Sequence, residues 1–351
     1  MIHQFAVKVP DAQFWQLLEH SIDYSCFFTP QWAAYLKRMG KRLFAVEVSQ
    51  NERVIGYFVG CRRWLGVRIV SSPAMGTGTY AQGLCMLQAI PPKERVDIYV
   101  ELSDWLLHNH EAGYIQVCDW QLRTDSKEWI DNWSNPLLDN AKITYNPRHT
   151  FHLDLRPTVE ELWAGLHYKS CKYSINKARK EGLAVRIVTE YDEIEPFVRQ
   201  HHEHINDVLR RHENRGLPCQ RKQNMLALCQ SLFPDNVLML QVIGQDEQGR
   251  EVSMSSGIFA FNQKICTYFT GGSYQSYMKY CPNELMVWEA ICQLHNRGVE
   301  DLIFGGVGHY KKKFNPIYAF VPVMVFSRYK MLLNARKVLK EKYVKLIHLF
   351  K

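Results

Sequence analysis

The sequence lacks the patterns that would place it in several common protein classes. No hydrophobic run approaches the roughly 18 consecutive apolar residues of a membrane-spanning helix, and the first ten residues lack the layout of a signal peptide. There is no CxxC pair and no GxSxG turn, and three histidines between residues 201 and 204 fail the HExxH spacing. Zinc, thiol-redox and serine-hydrolase chemistry are therefore disfavoured, and we expect no metal site.

The composition is that of a globular protein. Of the 351 residues, 46% are hydrophobic and 22% are charged, close to the average of folded domains, so neither disorder nor a coiled coil dominates. At roughly 150 residues per domain, the length favours two domains. The ten cysteines are expected to be reduced thiols in a cytoplasmic protein.

The positive charge is concentrated at one end of the chain. The net charge is +8, yet residues 309–351 hold eleven Lys and Arg against one acid, Glu341. This distribution disfavours a nucleic-acid-binding surface spread over the whole protein. Residues 327–351 have the spacing of a basic amphipathic helix, which either packs on its own domain or contacts an anionic membrane surface.

The pattern of predicted elements runs twice along the chain. Near its start, Thr29 and Pro30 predict a capped helix, and two β-rich runs that follow predict a hairpin. After residue 150, Thr158 and Glu161 have the spacing of a capping box, and three strand candidates between 237 and 270 form a meander. These signals predict an α/β (α+β) protein with two similar halves.

The densest group of charged residues lies between Lys169 and Gly182. On a helix, Lys169, Lys172, Asn176 and Lys180 share one stripe, while apolar side chains point elsewhere to pack. Such a row suits a phosphate group. A solvated helix face has the same pattern and is the alternative interpretation.

Two glycine-containing segments follow strand candidates. Gly271 and Gly272 precede Tyr274, and the next helix begins at Pro282, so the free N–H groups at the helix start suit a diphosphate. Residues 305–316 hold three glycines, a histidine and three consecutive lysines. A lysine held in such a loop can stabilise an oxyanion, and a basic surface loop is the alternative.

These segments, in this order, resemble the Fem-type branch of the GNAT-like acyltransferase superfamily. That branch includes the peptidoglycan-bridge aminoacyltransferases and related acetyltransferase-like proteins of cell-envelope and polysaccharide biosynthesis. Its motifs are a Leu-Trp pair before a basic helix, a P-x-x-L-x-x-W-E-A-I helix start and a [FY]-K-x-x-F-x-P segment. In this chain the Leu-Trp pair is Leu162-Trp163 and the basic helix is 169–182. The helix start corresponds to residues 282–291, and the last motif to residues 310–316.

The resemblance implies tandem GNAT-like domains, each a mixed, mainly antiparallel sheet flanked by helices. Their expected bounds are 1–147 and 148–326, with the basic helix at 327–351 after them. The resemblance also implies acyl transfer to an amine. The expected acceptor is a phosphorylated small molecule or a lipid-linked precursor, and the basic helix would provide any contact with the inner face of the membrane.

The resemblance also implies roles for individual residues. Lys311 matches the lysine that stabilises the tetrahedral oxyanion, and we take His309 and Tyr274 as candidate proton acceptors for the attacking amine. The predicted binding residues are Lys169, Lys172, Asn176, Tyr277, Pro282, Asn283, Trp288 and Glu289.

The favoured function is an N-acyltransferase that uses acyl-CoA and acts on an amine of a sugar, nucleotide-sugar or cell-envelope precursor. The chain lacks the [RQ]-x-x-G-x-[GA] phosphate loop of acetyl-CoA-dependent relatives. A tRNA-dependent aminoacyltransferase, with aminoacyl-tRNA as donor, is therefore the alternative. A non-catalytic binding protein with the same fold is the competing class.

Overall fold

One continuous β-sheet joins the two halves of the chain in the computed structural model, which describes residues 2–64, 66–74, 82–211 and 222–328. Its strands are β1 (Gln4–Lys8), β2 (Arg42–Gln50), β3 (Arg53–Trp64), β4 (Arg68–Ser72), β5 (Gly83–Met86), β6 (Tyr114–Cys118), β7 (Thr124–Ser126), β8 (Thr144–Asp154), β9 (Ala184–Ile187), β10 (Val237–Gln245), β11 (Glu251–Phe261), β12 (Ile265–Ser273), β13 (Asp301–Ile303) and β14 (Ile317–Ser327). Their order across the sheet is β1-β2-β3-β4-β6-β14-β8-β13-β12-β11-β10-β9, with β5 beside β3 and β7 beside β14.

Helices cover both faces of this sheet. They are α1 (Ala12–Glu19), α2 (Pro30–Arg38), α3 (Pro92–His108), α4 (Val159–Gly165), α5 (Tyr173–Lys180), α6 (Ile194–Arg211), α7 (Lys222–Leu232) and α8 (Pro282–Asn296). Both predicted helix starts are confirmed, since Thr29 Oγ1 accepts from Trp32 N at 3.1 Å and Thr158 forms a capping box with Glu161. Within the described ranges, no helix has the length and apolar character needed to span a bilayer.

The same arrangement of strands and helices occurs in each half, as the sequence predicts. In the first half, β2, β3 and β4 are antiparallel neighbours, and α3 leads to β6, which runs parallel to β4. In the second half, β10, β11 and β12 are antiparallel, and α8 leads to β13, which runs parallel to β12. This mixed, mainly antiparallel layout confirms the predicted fold class.

The last described strand inserts into the middle of the sheet. β14 pairs with β6 of the first half and with β8, and β8 pairs in turn with β13. β8, which follows the parallel pair β4–β6 of the first half, therefore pairs with β13 of the second half. β14, which follows the parallel pair β12–β13 of the second half, pairs with β6 of the first half. The predicted boundary between residues 147 and 148 falls inside β8. Ser327, the predicted first residue of the basic helix, is the last residue of β14. Residues 329–351 of the predicted basic helix lie outside the described residues.

Helices from both halves share one apolar cluster. Trp32 and Leu36 of α2 pack in it with Phe197 and Val198 of α6 and with Ile258 of β11, and all are buried. The buried residues of α6 recur at steps of three and four, as expected for an amphipathic helix. Burial of each such side chain contributes roughly 1.5–3 kcal/mol, so this cluster holds the two halves together.

An ion cluster around the buried His152 also links the halves. His152 on β8 has Nδ1 2.9 Å from Asp301 of β13 and Nε2 3.2 Å from Asp125 of β7. Burial by itself would lower the pKa of His152, but the two carboxylates outweigh it and raise the pKa to about 9. The imidazole is therefore cationic at neutral pH.

We expect the stability that His152 contributes to disappear at alkaline pH. Because the folded-state pKa exceeds the ordinary value of 6.5, the contribution, about 3 kcal/mol, is full below that value and is lost as the pH rises through about 9. Urea unfolding of the wild type and His152→Gln should give a free-energy difference that shrinks from acidic to alkaline pH.

His149→Gln is the matched control for this measurement. His149 lies on the same strand, and burial lowers its pKa, so its variant should show no such alkaline decline. A His152→Gln difference that stays constant with pH would contradict the prediction.

Candidate active site

The two parallel strands of the second half separate and leave a cleft at their carboxyl ends. β12 and β13 pair only as far as Thr267 and Ile303. Beyond these residues the two chain segments line opposite sides of a cavity of about 480 Å³, and Tyr310 and Lys311 complete its wall. Both the position and the volume are typical of a small-molecule site in an α/β protein.

The Lys311 ammonium lies in this cleft. Its Nζ donates to Phe304 O at 2.7 Å and to Gly306 O at 3.1 Å. A lysine ammonium has three N–H groups, so one remains for a group bound in the cleft. Burial lowers the pKa of Lys311 to about 8, which leaves the side chain mostly cationic at neutral pH. A fixed positive charge with little water around it is well suited to stabilise an oxyanion.

Two tyrosine rings flank this ammonium. Lys311 Nζ lies 5.2 Å from the ring centroid of Tyr268 and 5.8 Å from that of Tyr310, within the range of a cation–π interaction. The two hydroxyl oxygens are 3.4 Å apart. Burial raises the pKa of Tyr268 to about 12 and also raises the pKa of Tyr310, so both hydroxyls stay protonated at neutral pH.

Two of the glycines singled out in the sequence shape the cleft. A Cβ on Gly271 would lie 1.8 Å from the Tyr268 hydroxyl oxygen, so any larger residue there would displace the ring. Gly305 has a φ of +78°, in the left-handed region that favours glycine. These glycines therefore make room for the tyrosine and for the turn that follows β13.

A second lysine of the same loop connects the cleft to α8. Lys313 Nζ lies 2.6 Å from Glu284 Oε1 in the first turn of α8, and the Lys313 carbonyl accepts from His167 N at 3.1 Å. Sequence reasoning missed both Glu284 and Tyr268 as site residues. The only signal for Glu284 was an acid in the first turn of a predicted helix, and Tyr268 has none in its local sequence.

Of the three predicted catalytic residues, Lys311 is the one whose described side chain lines the cleft. The Tyr274 hydroxyl donates to Glu203 at 2.9 Å and accepts from Gln200 at 3.0 Å, which ties it to α6. Burial and Glu203 raise the pKa of Tyr274, so the hydroxyl keeps its proton and is poorly suited to accept another group's proton. The side chain of His309 lies outside the described part of the structure.

The predicted binding residues around α8 have different environments. Tyr277 is half-buried, Pro282 is buried at the first turn, and Asn283 donates to a serine of β12 at 3.0 Å. Trp288 is 3% exposed and packs edge-on against the tryptophan of α4. It is part of the buried apolar cluster around α8, so it is a core residue and not a binding residue. Glu289 is partly exposed and accepts from a glutamine one turn later.

The predicted basic row is only partly a free surface. Lys169, Asn176 and Lys180 are exposed. Lys172 Nζ instead donates to Ala164 O at 2.9 Å at the end of α4, a common way to satisfy a carbonyl at a helix terminus. The phosphate-binding prediction therefore applies to the three exposed residues.

The histidines of α6 form a buried hydrogen-bonded group. The Nδ1 atoms of His201 and His204 lie 2.8 and 2.6 Å from Ser256 Oγ. Burial lowers the pKa of His201 to about 3, so the ring is neutral. Across the described segments, no three histidine, cysteine or acidic side chains are arranged to hold a metal ion.

A known protein-family model matches the part of the chain that forms the cleft. Residues 235–320, which include β12, α8 and the Lys311 loop, match the FemAB family. No curated protein sequence matches the chain.

Solved structures extend the similarity to most of the chain. FemX has a TM-score of 0.65 at 11% identity and covers 91% of this chain and 96% of its own. L-PGS from Bacillus licheniformis has a TM-score of 0.52 at 10% identity, and the match covers 95% of this chain and 96% of that structure. The C-terminal domain of a putative lysylphosphatidylglycerol synthetase from Agrobacterium fabrum has a TM-score of 0.50 at 10% identity, covering 88% and 92%.

At such identities these structures show a shared fold. Together with the family match, they confirm the predicted relationship to the Fem-type branch of the GNAT-like superfamily and the predicted enzyme class, an acyltransferase.

Proposed function

We propose that this chain is a tRNA-dependent aminoacyltransferase that transfers an aminoacyl group from a charged tRNA to an amine of a cell-envelope precursor. The observation that carries the proposal is the half-buried, cationic Lys311 in the cleft between β12 and β13. The amine attacks the carbonyl carbon of the aminoacyl ester, forms a C–N bond and produces a tetrahedral oxyanion. The oxyanion collapses as the C–O bond to the tRNA ribose breaks, the amine nitrogen loses a proton and the ribose oxygen gains one.

Lys311 stabilises the oxyanion in this mechanism. One N–H of its ammonium donates to the developing negative charge, while the other two hold the side chain against Phe304 and Gly306. Because these carbonyls fix the ammonium before the reaction, little reorganisation is needed in the transition state.

The start of α8 favours the tRNA donor over acyl-CoA. A CoA diphosphate needs free N–H groups and positive charge at this helix start. Here Pro282 has no N–H to donate, and the Glu284 carboxylate in the first turn takes up the positive charge of Lys313, which is then not free for a diphosphate. The sequence favours acyl-CoA as the donor, whereas the FemAB match and the FemX and L-PGS structures support the aminoacyltransferase alternative better.

The acceptor class rests on the comparisons. One structural neighbour is named for lysylphosphatidylglycerol, an aminoacylated lipid. This name supports a lipid-linked acceptor, whereas the amine, which phosphatidylglycerol lacks, rests on the resemblance to the Fem-type enzymes.

A transfer assay with defined donors tests the proposal. The purified chain is incubated with total charged tRNA or with acetyl-CoA, each with a lysine-containing peptide as the amine, and the acylated peptide is measured by mass spectrometry. We expect aminoacyl-peptide from charged tRNA above the uncatalysed background. Acetylation from acetyl-CoA without transfer from tRNA would instead support the acyl-CoA enzyme, and no transfer from either would favour a binding protein.

The exposed residues of the basic row should contribute to binding of the tRNA. We expect the double variant Lys169→Gln, Lys180→Gln to bind charged tRNA more weakly, with a slope of log K against log salt that is reduced by about 1.5, because each lysine neutralises one phosphate. Filter binding at several salt concentrations measures the slope.

The matched control is Lys93→Gln, Lys142→Gln. These lysines are exposed in the first half and paired with acids, and their loss changes the net charge by the same amount. Equal slopes for the two double variants would show that the basic row is a solvated surface that does not bind the tRNA.

A further inference from the structure

Arginines meet at one end of the sheet, where β2 and β4 begin and β3 and β14 end. Arg42 of β2 pairs in register with Arg62 of β3, and Arg68 of β4 pairs with Trp64 at the end of β3. β6 lies between β4 and β14, so Ser327 at the end of β14 reaches the same level of the sheet. This end is therefore built from strands of both halves.

The charge of this end is strongly positive. The segments that reach it, which we call the basic end, are residues 37–42, 62–64, 66–68, 104–114, 139–144 and 326–328. They contain nine Lys and Arg against three acids, a net charge of +6. Neighbouring strands lie about 4.8 Å apart, so these charges sum into one positive field that attracts a negatively charged surface.

An exposed tryptophan lies among these arginines. The side chain of Trp64 is 67% exposed, and the next most exposed tryptophan of the chain, Trp129, is 44% exposed. A tryptophan ring is apolar but carries one N–H group, so it is well suited to the boundary between the head groups and the hydrocarbon of a bilayer. The basic end thus combines positive charge with an aromatic side chain of the type enriched at membrane surfaces.

The positively charged last segment of the chain begins at the same place. Arg328 N donates to Gly113 O at 3.4 Å, and the Arg328 guanidinium donates to His110 Nδ1 at 3.2 Å. The Arg68 guanidinium donates to His110 O at 2.8 Å. Residues 329–351, which follow, hold seven more Lys and Arg against one acid, and their apolar residues recur at helical spacing. Their charge therefore adds to that of the basic end.

We infer that the basic end binds the surface of an anionic lipid bilayer, with the Trp64 ring at the level of the head groups and the arginines against the lipid phosphates. A guanidinium donates two parallel hydrogen bonds to a phosphate. A polynucleotide has the same negative charge, but the apolar residues that recur in 329–351 match hydrocarbon and not a polynucleotide. The combination favours a membrane.

The Lys311 cleft and the basic end lie toward the same end of the sheet. β13 and β14 are both antiparallel to β8, so they run in the same direction. The cleft is at the carboxyl end of β13, and the basic end is at the carboxyl end of β14. Binding through the basic end would turn the cleft toward a lipid-linked acceptor. This consequence rests on the proposed function, whereas membrane binding itself does not.

Co-sedimentation of the full chain with vesicles tests the inference. The vesicles contain phosphatidylcholine alone or an equal mixture with phosphatidylglycerol. We expect the chain to pellet with the mixed vesicles at low salt and to be released at high salt, because salt screens the attraction. No pelleting with the mixed vesicles at low salt would overturn the inference. A chain that binds an RNA oligonucleotide but no vesicle would instead assign the basic end to nucleic acid.

The double variant Arg42→Gln, Arg68→Gln tests whether the basic end makes the contact. We expect its binding to the mixed vesicles to weaken roughly tenfold or more, because each cation near an anionic bilayer strengthens binding several-fold. The matched control is Arg53→Gln, Arg156→Gln, which removes the same charge from exposed residues at the opposite end of the sheet. Equal losses in the two double variants would overturn the assignment to the basic end.

Tryptophan fluorescence provides a second test, which leaves the charge unchanged. Lipids brominated on their acyl chains quench tryptophans that reach the bilayer, and residues 329–351 contain no tryptophan. We expect quenching in the wild type and little quenching in Trp64→Phe, whose aromatic ring and unchanged arginines preserve most of the binding. Equal quenching in the two proteins, or binding of the wild type without quenching, would overturn the inference.

Discussion

Replacing Lys311 by glutamine is expected to lower the rate of aminoacyl transfer by about 10²–10³-fold, the usual loss when one oxyanion donor is removed. The amide of glutamine can donate to a carbonyl but carries no positive charge. Single-turnover transfer from charged tRNA measures the rate, and thermal denaturation checks that the fold persists.

Lys312→Gln is the matched control. The neighbouring lysine is exposed and lies 5.5 Å from the ring of Tyr318, so its replacement removes the same charge from the same loop. Its rate should stay within a few-fold of the wild type. If the Lys311→Gln enzyme is as active as Lys312→Gln, Lys311 does not stabilise the oxyanion.

The pH dependence of the rate provides an independent check. Burial lowers the pKa of Lys311 to about 8, so the cationic form that stabilises the oxyanion is lost as the pH rises through this value. The wild-type rate should therefore lose a Lys311-dependent contribution above about pH 8. In Lys311→Gln this contribution should be absent at every pH.

Replacing Arg95 by methionine should destabilise the protein by about 3–5 kcal/mol, the usual cost of breaking a buried ion pair. The Arg95 guanidinium lies 2.8 Å from Asp23 and 2.7 Å from Asp119, and it also donates to Leu84 O at 2.7 Å. Arg95 and both aspartates are buried. The variant leaves two buried carboxylates without their counter-ion.

Urea unfolding measures the loss, with Arg156→Met as the control. Arg156 is exposed and lies 2.8 Å from Asp154, so its removal should cost no more than about 1 kcal/mol. Burial raises the pKa of Asp23 even in the presence of Arg95. Without Arg95 the Asp23 carboxylate should take up a proton more readily, so the cost should be smaller near pH 5 than near pH 7. Equal losses for the two variants would contradict the prediction.

The Arg95 cluster also distinguishes the two halves chemically. Asp119 follows β6 directly, as Phe304 follows β13, so the cluster lies where the parallel pair of the first half ends. Paired charges fill this position and leave a cavity of only about 10 Å³, against about 480 Å³ in the second half. The repeated fold therefore provides one open cleft of this kind in the described structure.

Features that depend on neighbouring residues could be predicted from the sequence. The cap at Thr29, the capping box at Thr158 and the repeated order of elements are confirmed. On the basic helix, Ile175 and Ala178 are buried, as their spacing predicts. These features follow from backbone hydrogen bonding and helical periodicity over a few residues, which local sequence expresses directly.

The sequence by itself thus determined the two capped helices, the hairpin of the first half and the meander of the second, and it marked Lys311 as the lysine of interest. Only the tertiary structure decided what surrounds that lysine. Tyr268 reaches it from a strand 43 residues earlier, the Lys172 head group is occupied by Ala164 O, and Trp288 faces the core. The exchange of β8 and β14 between the halves was equally unpredictable. The physical reason is that pairing of distant strands and packing of distant side chains depend on the free energy of the whole sheet, which no short segment determines.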